Sequence, residues 1–186
     1  AGTGTAGDAE DGALAHEAPV GDDLPEIVVL PSGEIVFGDF AYYKVRKIDL
    51  DGRLQTVAGN GYQAFAGDGG PAEAGVVAGP LGLVVLDDQS VLISDQFNGR
   101  IRRVTPDGWI ETWAGRGVFA VDGSGGPAID AAMRPLDLAL GPDGTVYVLE
   151  PNGVRSIEAD GIIRDVVGPG SQWTEDDDDV PAIGVR

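Results

Sequence analysis

The chain has 186 residues, 42% of them hydrophobic, and its 31 acidic and 12 basic residues give a formal net charge of −19. This charge argues against binding to nucleic-acid phosphates and against adsorption to anionic membranes. No apolar run approaches the roughly 18 residues that cross a bilayer, and the absence of cysteine excludes disulfides and thiolate metal sites.

The sequence repeats with a period of about 56 residues. Ala58-Gly59-Asn60-Gly61 returns as Ala114-Gly115-Arg116-Gly117, and Asp68-Gly69-Gly70-Pro71-Ala72 is matched by Ser124-Gly125-Gly126-Pro127-Ala128. A fixed period of this length indicates one supersecondary unit used several times within a single domain. The predicted repeats are 1–57, 58–113 and 114–167, followed by the start of a fourth at 168–186.

Each repeat contains four short segments, labelled a to d in chain order. Segment a is a continuous apolar run, which predicts a strand buried on both faces. Segment c alternates apolar and charged residues, and segment d follows an Asp-Gly pair, a strong signal for a two-residue hairpin. The a segments are 27–30, 83–86 and 138–140; the b segments are 35–37, 91–93 and 146–148; the c segments are 45–48, 101–104 and 154–157; the Asp-Gly pairs are 51–52, 107–108 and 160–161.

Four antiparallel strands per repeat, joined by tight turns, predict an all-β fold made of propeller blades. The second repeat, with Gly67-Asp68-Gly69-Gly70-Pro71-Ala72 followed by Ser94-Asp95-Gln96-Phe97-Asn98-Gly99-Arg100-Ile101, resembles the NHL repeat. The third repeat departs from the pattern, because Glu150 replaces the aspartate and the following loop is one residue short.

The resemblance implies a propeller that usually has six blades, of which this chain carries three. The missing blades are then supplied by the rest of a longer parent protein or by a second copy of the chain. The family includes extracellular teneurin-like and toxin-associated proteins. We therefore expect a non-catalytic binding module of a larger secreted or cell-surface bacterial protein, and not an enzyme.

Strand direction places the b–c loops and the d–a connectors on one face, called the loop face below. The loops are 40–43, 96–99 and 151–153, and the connectors are 59–79 and 115–134. Since function on a rigid scaffold concentrates in variable loops, we expect a protein or small ligand to bind there. The alternative is that the aromatic side chains of these loops fill the space between blades; Trp109 and Trp113, near strand d, are expected to pack. The candidate binding residues are Tyr42, Tyr43, Tyr62, Phe65, Phe97, Asn98 and Phe119.

Two charge pairs span the b–c loop, Asp39 with Lys44 and Asp95 with Arg100. We expect structural ion pairs that fix the loop. The alternative is an inward-facing carboxylate that binds a metal or a ligand near the centre of the ring.

No cofactor is expected, with calcium as the one exception left open. Gly-Asp-Gly-Gly lacks the spacing of a P-loop or an EF-hand and indicates a compact turn. The acidic run Glu175–Asp179 could bind calcium weakly or be a divergent connector. His16 is the only histidine. The alternative function, part of a propeller-fold metal-dependent lyase or hydrolase, therefore needs most of its ligands from missing blades.

Overall fold

The computed structural model describes residues 2–168, and their regular structure is three antiparallel sheets with three short 3-10 helices and no α-helix. In each sheet the strands pair in chain order, which confirms the predicted all-β, four-stranded units. The first sheet has β1 (Ile27–Val29), β2 (Ile35–Asp39), β3 (Lys44–Ile48) and β4 (Leu54–Ala58). The second has β6 (Pro80–Val85), β7 (Val91–Asp95), β8 (Arg100–Val104) and β9 (Trp109–Ala114), with β5 (Gly70–Pro71) added beside β9. The third has β10 (Asp137–Leu140), β11 (Val146–Glu150), β12 (Gly153–Ile157) and β13 (Ile163–Val167). The 3-10 helices are Ala72–Ala74, Gln96–Asn98 and Ala128–Asp130.

The connector before each sheet covers the outer edge of that sheet's last strand. Gly12 donates to the carbonyl of Leu54, Gly69 to that of Ile110, and Gly125 to that of Ile163, at 2.7–2.8 Å. The connectors therefore run from the loop face along the sheet edge to the opposite end. The central residues of the connectors form hydrogen bonds with the free backbone groups of the sheet edge. They therefore lie away from the loop face, where the connectors 59–79 and 115–134 were expected along their whole length.

The sheets pack face to face through their apolar side chains. On β6, Leu83 packs in the core shared with the first sheet, and Val84 in the core shared with the third. Connector residues fill the space between neighbouring sheets, among them Val77 in the first core and Met133 in the second. The central sheet is consequently covered on both faces.

The two end sheets each leave one face uncovered among the described residues. Ile27 and Val29 of β1 are 60% and 62% exposed, although Leu83, which takes the place of Ile27 in the next repeat, is 2% exposed. Leu149 and Val167 of the third sheet are 45% and 44% exposed. The prediction that strand a is buried on both faces is thus wrong for β1, and also for β10, where Ala139 is exposed. Among the described residues, no neighbouring sheet lies against the second side of either strand.

The Asp-Gly turns form as predicted, whereas one of the two tryptophans near strand d does not pack. The glycines of the three Asp-Gly pairs, Gly52, Gly108 and Gly161, have φ of 73°, 80° and 74°, which explains the need for glycine there. Trp113 is half-buried, as expected, but Trp109 is 51% exposed at the start of β9, so its predicted packing role is wrong. The division into repeats stays a prediction, and the acidic run and nearly all of the fourth repeat lie outside the described residues.

Candidate functional site

A buried carboxylate ends the second strand of every sheet and holds the connector that precedes it. Asp39 accepts a hydrogen bond from the amide of Gly21 at 3.2 Å, and Asp95 accepts one from Ala78 at 2.7 Å. In the third sheet, Glu150 accepts a hydrogen bond from the backbone amide of Arg134 at 2.7 Å. Burial raises the pKa of Asp39, and it raises the pKa of Asp95 to about 6, against the opposing effect of these hydrogen bonds.

The predicted ion pairs Asp39–Lys44 and Asp95–Arg100 are wrong, although the residues of each pair are opposite one another in register. The buried carboxylates accept hydrogen bonds from backbone amides instead. Asp95 also accepts hydrogen bonds from the side chain of Asn98 at 2.9 Å and pairs with Arg102 at 3.4 Å. Lys44 reaches outward instead and pairs with Asp8 at 2.6 Å.

Three buried arginines that the sequence analysis did not single out tie each connector to its own sheet. Arg46, Arg102 and Arg155 occupy equivalent places on the third strands, and their side chains are at most 2% exposed. Arg46 binds Asp8 and Asp11 of its connector, at 3.2 and 3.1 Å. The charged residues of segment c carry the signal, since the arginine that follows its first apolar residue faces inward in all three repeats.

The other two arginines repeat this arrangement. Arg102 binds Asp68 of its connector and the carbonyl of Val76. Arg155 binds Glu150 and two connector carbonyls, those of Asp122 and Ala132. The Nε of Arg155 donates to Glu150, whose side chain is longer than that of aspartate. Among the residues that the structure describes, the Nε atoms of Arg46 and Arg102 have no hydrogen-bond partner.

On the loop face, the b–c loops lie against the ends of the connectors. The amide of Phe97 donates to the carbonyl of Ala78 at 2.9 Å, and the side chain of Asn98 donates to the carbonyl of Ala64 at 2.7 Å. Four of the predicted aromatic residues are exposed, and we call them the loop-face aromatics: Tyr62 (70%), Phe65 (41%), Phe97 (37%) and Phe119 (58%).

Tyr42 and Tyr43 differ from these four, because they are half-buried in the first b–c loop. The hydroxyl of Tyr43 donates to Gln63 at 3.2 Å. Phe97 is itself partly supported, since its ring meets that of Phe40 edge-on at 5.5 Å. Contact with solvent and packing therefore coexist in this set.

The glycine-rich segment of the second connector forms a compact turn, as the sequence indicated. Gly67 and Gly69 have φ of 97° and 75°, and the amide of Gly70 donates to the carbonyl of Gly67 at 3.0 Å. Within residues 2–168, no group of three or more His, Cys, Asp or Glu side chains could hold a metal ion. His16 is exposed and lies 3.4 Å from Glu17. Calcium binding stays a prediction.

A shallow, open cleft of about 360 Å³ lies between the first and second connectors. Of its two acidic residues, Asp11 is already bound by Arg46 and by the hydroxyl of Thr56. The residues that line it are Asp11, Lys44, Thr56, Gly59, Asn60, Glu73 and Ala74. In the described part of the chain, no helix is long and apolar enough to span a membrane.

Comparison with solved structures decides the fold. The crystal structure of selenomethionine-substituted virginiamycin B lyase from Staphylococcus aureus aligns with 83% of this chain and 45% of its own, at TM-score 0.55 and 18% identity. The chain has the β-propeller fold. A gluconolactonase from Xanthomonas campestris aligns with 74% of this chain and 44% of its own, at TM-score 0.50 and 15% identity. The chain thus spans less than half the length of these structures.

At the sequence level, the propeller segment is 30% identical to Teneurin-m of Drosophila melanogaster over 181 residues. This match covers 87% of the chain and 6% of Teneurin-m. No protein-family model matches the chain.

These comparisons correct the expectation that the chain is not an enzyme. That expectation is wrong, because the structures that share the fold include a lyase and a gluconolactonase. The resemblance to extracellular binding proteins and the lone histidine had suggested it. Neither observation excludes catalysis, because one fold carries many functions.

Proposed function

We propose that the chain is half of an NHL-type, six-bladed propeller within a larger secreted or cell-surface protein, and that the loop face is its binding surface. Binding is the part of the function that scaffold proteins and enzymes of this fold share. The observation that carries the proposal is the exposure of Tyr62, Phe65, Phe97 and Phe119 on the loop face. The loops around Phe65 and Phe97 are held by hydrogen bonds, one of them the buried bond from Ala78 to Asp95.

Exposed aromatic side chains on a rigid support favour binding, because little conformational entropy is lost when a partner covers them. Asp95 fixes this support, since it holds both Ala78 of the connector and Asn98 of the b–c loop. Asn98 in turn holds the backbone of Ala64, next to Phe65. The surface is therefore formed before a partner arrives.

The uncovered end faces support the half-ring. Leu83 is buried where the first sheet packs against β6. Ile27 occupies the equivalent position on β1 and is exposed, because no described sheet packs against it. We propose that the parent chain supplies the sheets that cover Ile27 and Val29 at one end and Leu149 and Val167 at the other. The matches to 45% and 44% of the two enzyme structures fit a ring about twice this size.

Selection of displayed peptides tests the binding surface. We expect the wild-type chain to select peptides that a variant with Tyr62→Ser, Phe97→Ser and Phe119→Ser no longer binds. The matched control carries Leu50→Ser and Trp109→Ser, which remove exposed apolar groups (73% and 51%) at the opposite end of the sheets. Peptides lost by the control and kept by the loop variant would place the binding surface elsewhere.

A further inference from the structure

The start of the third strand differs between the repeats in an ordered way. Lys44, Arg100 and Gly153 begin β3, β8 and β12. In the first repeat, Lys44 binds both carboxylate oxygens of Asp8, at 2.7 and 2.6 Å. The cation of the first repeat thus has its counter-charge within the same repeat.

The equivalent of Asp8 in the second repeat is Phe65. The register follows from Asp11 and Asp68, each of which binds the buried arginine and the threonine of its own sheet. Asp8 lies three residues before Asp11, and Phe65 three before Asp68. The second repeat therefore keeps the cation, as Arg100, and replaces its carboxylate by an exposed ring.

The guanidinium of Arg100 is fixed in place. It lies 3.8 Å from the centroid of the Phe65 ring and donates to the carbonyls of Asn98 at 2.8 Å and Arg116 at 3.2 Å. A Cβ on Gly117 would lie 2.1 Å from its Nη1, so Gly117 is packed against it. Stacking and two carbonyls hold the planar group in one orientation before any partner binds.

Within residues 2–168, Arg100 forms no salt bridge, although the chain has 31 acidic residues. We propose that Arg100 and Phe65 form a subsite that binds one carboxylate of a peptide partner, with an apolar side chain of that peptide against Phe65. This inference rests on the proposed function of the loop face. It names the chemistry that the face recognises.

The first repeat indicates why the ligand is a carboxylate. In that repeat the carboxylate of Asp8 lies beside Lys44, the cation that is equivalent to Arg100. The start of the third strand can therefore accommodate a carboxylate next to its cation. The exposed neighbours Val118 (44%) and Phe119 (58%) provide apolar surface next to Gly117. Since the net charge of −19 repels polyanions, the partner segment carries a single carboxylate between apolar side chains.

Two tripeptides that differ in one group test the subsite, acetyl-Phe-Asp-Phe-amide and acetyl-Phe-Asn-Phe-amide. We expect the Asp peptide to bind about tenfold more tightly, as one charge-assisted hydrogen bond warrants. The readout is the NMR shift of the Gly117 amide and of the Arg100 Nε–H during titration at physiological salt.

Three variants sharpen the test. Phe65→Asp supplies an internal carboxylate, as in the first repeat, and is expected to abolish the preference for the Asp peptide. Arg100→Gln is expected to remove it as well. Arg53→Gln is the matched control, because Arg53 is an exposed arginine that donates to the carbonyl of Gly12 and forms no salt bridge within the described residues. It should leave the preference unchanged.

Equal affinity of the wild-type chain for both peptides would overturn the subsite and leave the proposed binding surface standing. The absence of a Gly117 shift with either peptide at millimolar concentration would overturn it too. The displayed-peptide selection decides the proposed function separately. A preference that persists in Phe65→Asp would place the carboxylate elsewhere and also refute the inference.

Discussion

Replacing the buried Arg102 by methionine is expected to destabilise the chain strongly and in a pH-dependent way. Arg102 has a fully buried side chain that binds Asp68, the carbonyl of Val76 and the equally buried Asp95. Removing one partner of a buried ion pair costs about 3–5 kcal/mol, because the remaining charge stays out of water. We expect a loss of about 4 kcal/mol in the free energy of unfolding at pH 7.5.

The pH dependence follows from Asp95. Its folded-state pKa of about 6 lies above the unfolded value of 3.8, so its contribution to stability is fully present below pH 3.8 and is lost as the pH rises through 6. Without Arg102 the pKa rises further, and protonation then removes the unpaired charge. Each pH unit is equivalent to about 1.4 kcal/mol, so the variant regains at most about 3 kcal/mol by pH 5.5. The wild-type chain itself gains about 1 kcal/mol there, because its own Asp95 is largely protonated below pH 6, so the loss should shrink to about 2 kcal/mol.

Urea unfolding followed by tryptophan fluorescence at the two pH values measures both quantities. Arg103→Met is the matched control on the same strand, because Arg103 is half-exposed and its partners Asp88 and Glu111 each have side chains 50% exposed. Such surface pairs contribute at most about 1 kcal/mol. Equal losses for the two variants, or an Arg102 loss that does not change with pH, would refute the reasoning.

Three further predictions use comparisons between equivalent positions. Gly117→Ala should lower the free energy of unfolding by about 1–2 kcal/mol more than Gly125→Ala in urea titrations, because both glycines have positive φ (81° and 82°) but only the first faces a guanidinium. Glu150→Asp should cost about 1–3 kcal/mol, since it deprives a buried arginine Nε of its acceptor; an unchanged urea midpoint would count against this. In this cysteine-free chain, Ile27→Cys should react with a thiol reagent at the rate of an exposed thiol and Leu83→Cys at least about a hundredfold more slowly. In the parent protein, Ile27→Cys should become protected, and continued rapid labelling there would contradict the half-ring.

The strands and turns could be predicted from the sequence because their signals are local. The Asp-Gly pairs and the alternation of segment c recur in each repeat, and the predicted strands are present in all three sheets. The partners of the charged side chains could not be predicted in the same way. Asp39 and Lys44 are neighbours in register, yet the connector, distant in sequence, supplies Gly21 to one and Asp8 to the other.

The burial of individual strand residues could not be predicted from a local sequence pattern either. Ile27 and Leu83 occupy the same place in similar apolar runs, and one is exposed while the other is buried. The difference comes from whether a sheet lies beside the strand, which the residues of that strand do not encode. For the same reason, the exposure of the loop-face aromatics depends on where the connectors lie, and the loop residues alone do not predict it.

The way each connector closes the edge of its own sheet has an evolutionary consequence. A segment that begins with a connector and ends with the fourth strand contains both sides of its outermost hydrogen-bonded edge, so a gene can gain or lose such a segment without leaving a strand unpaired. Tandem duplication of such a segment therefore adds a sheet whose last strand already has its hydrogen-bonding partner. The apolar faces at the two ends of the array still need a neighbouring sheet, so sheet packing and not strand pairing limits the number of copies.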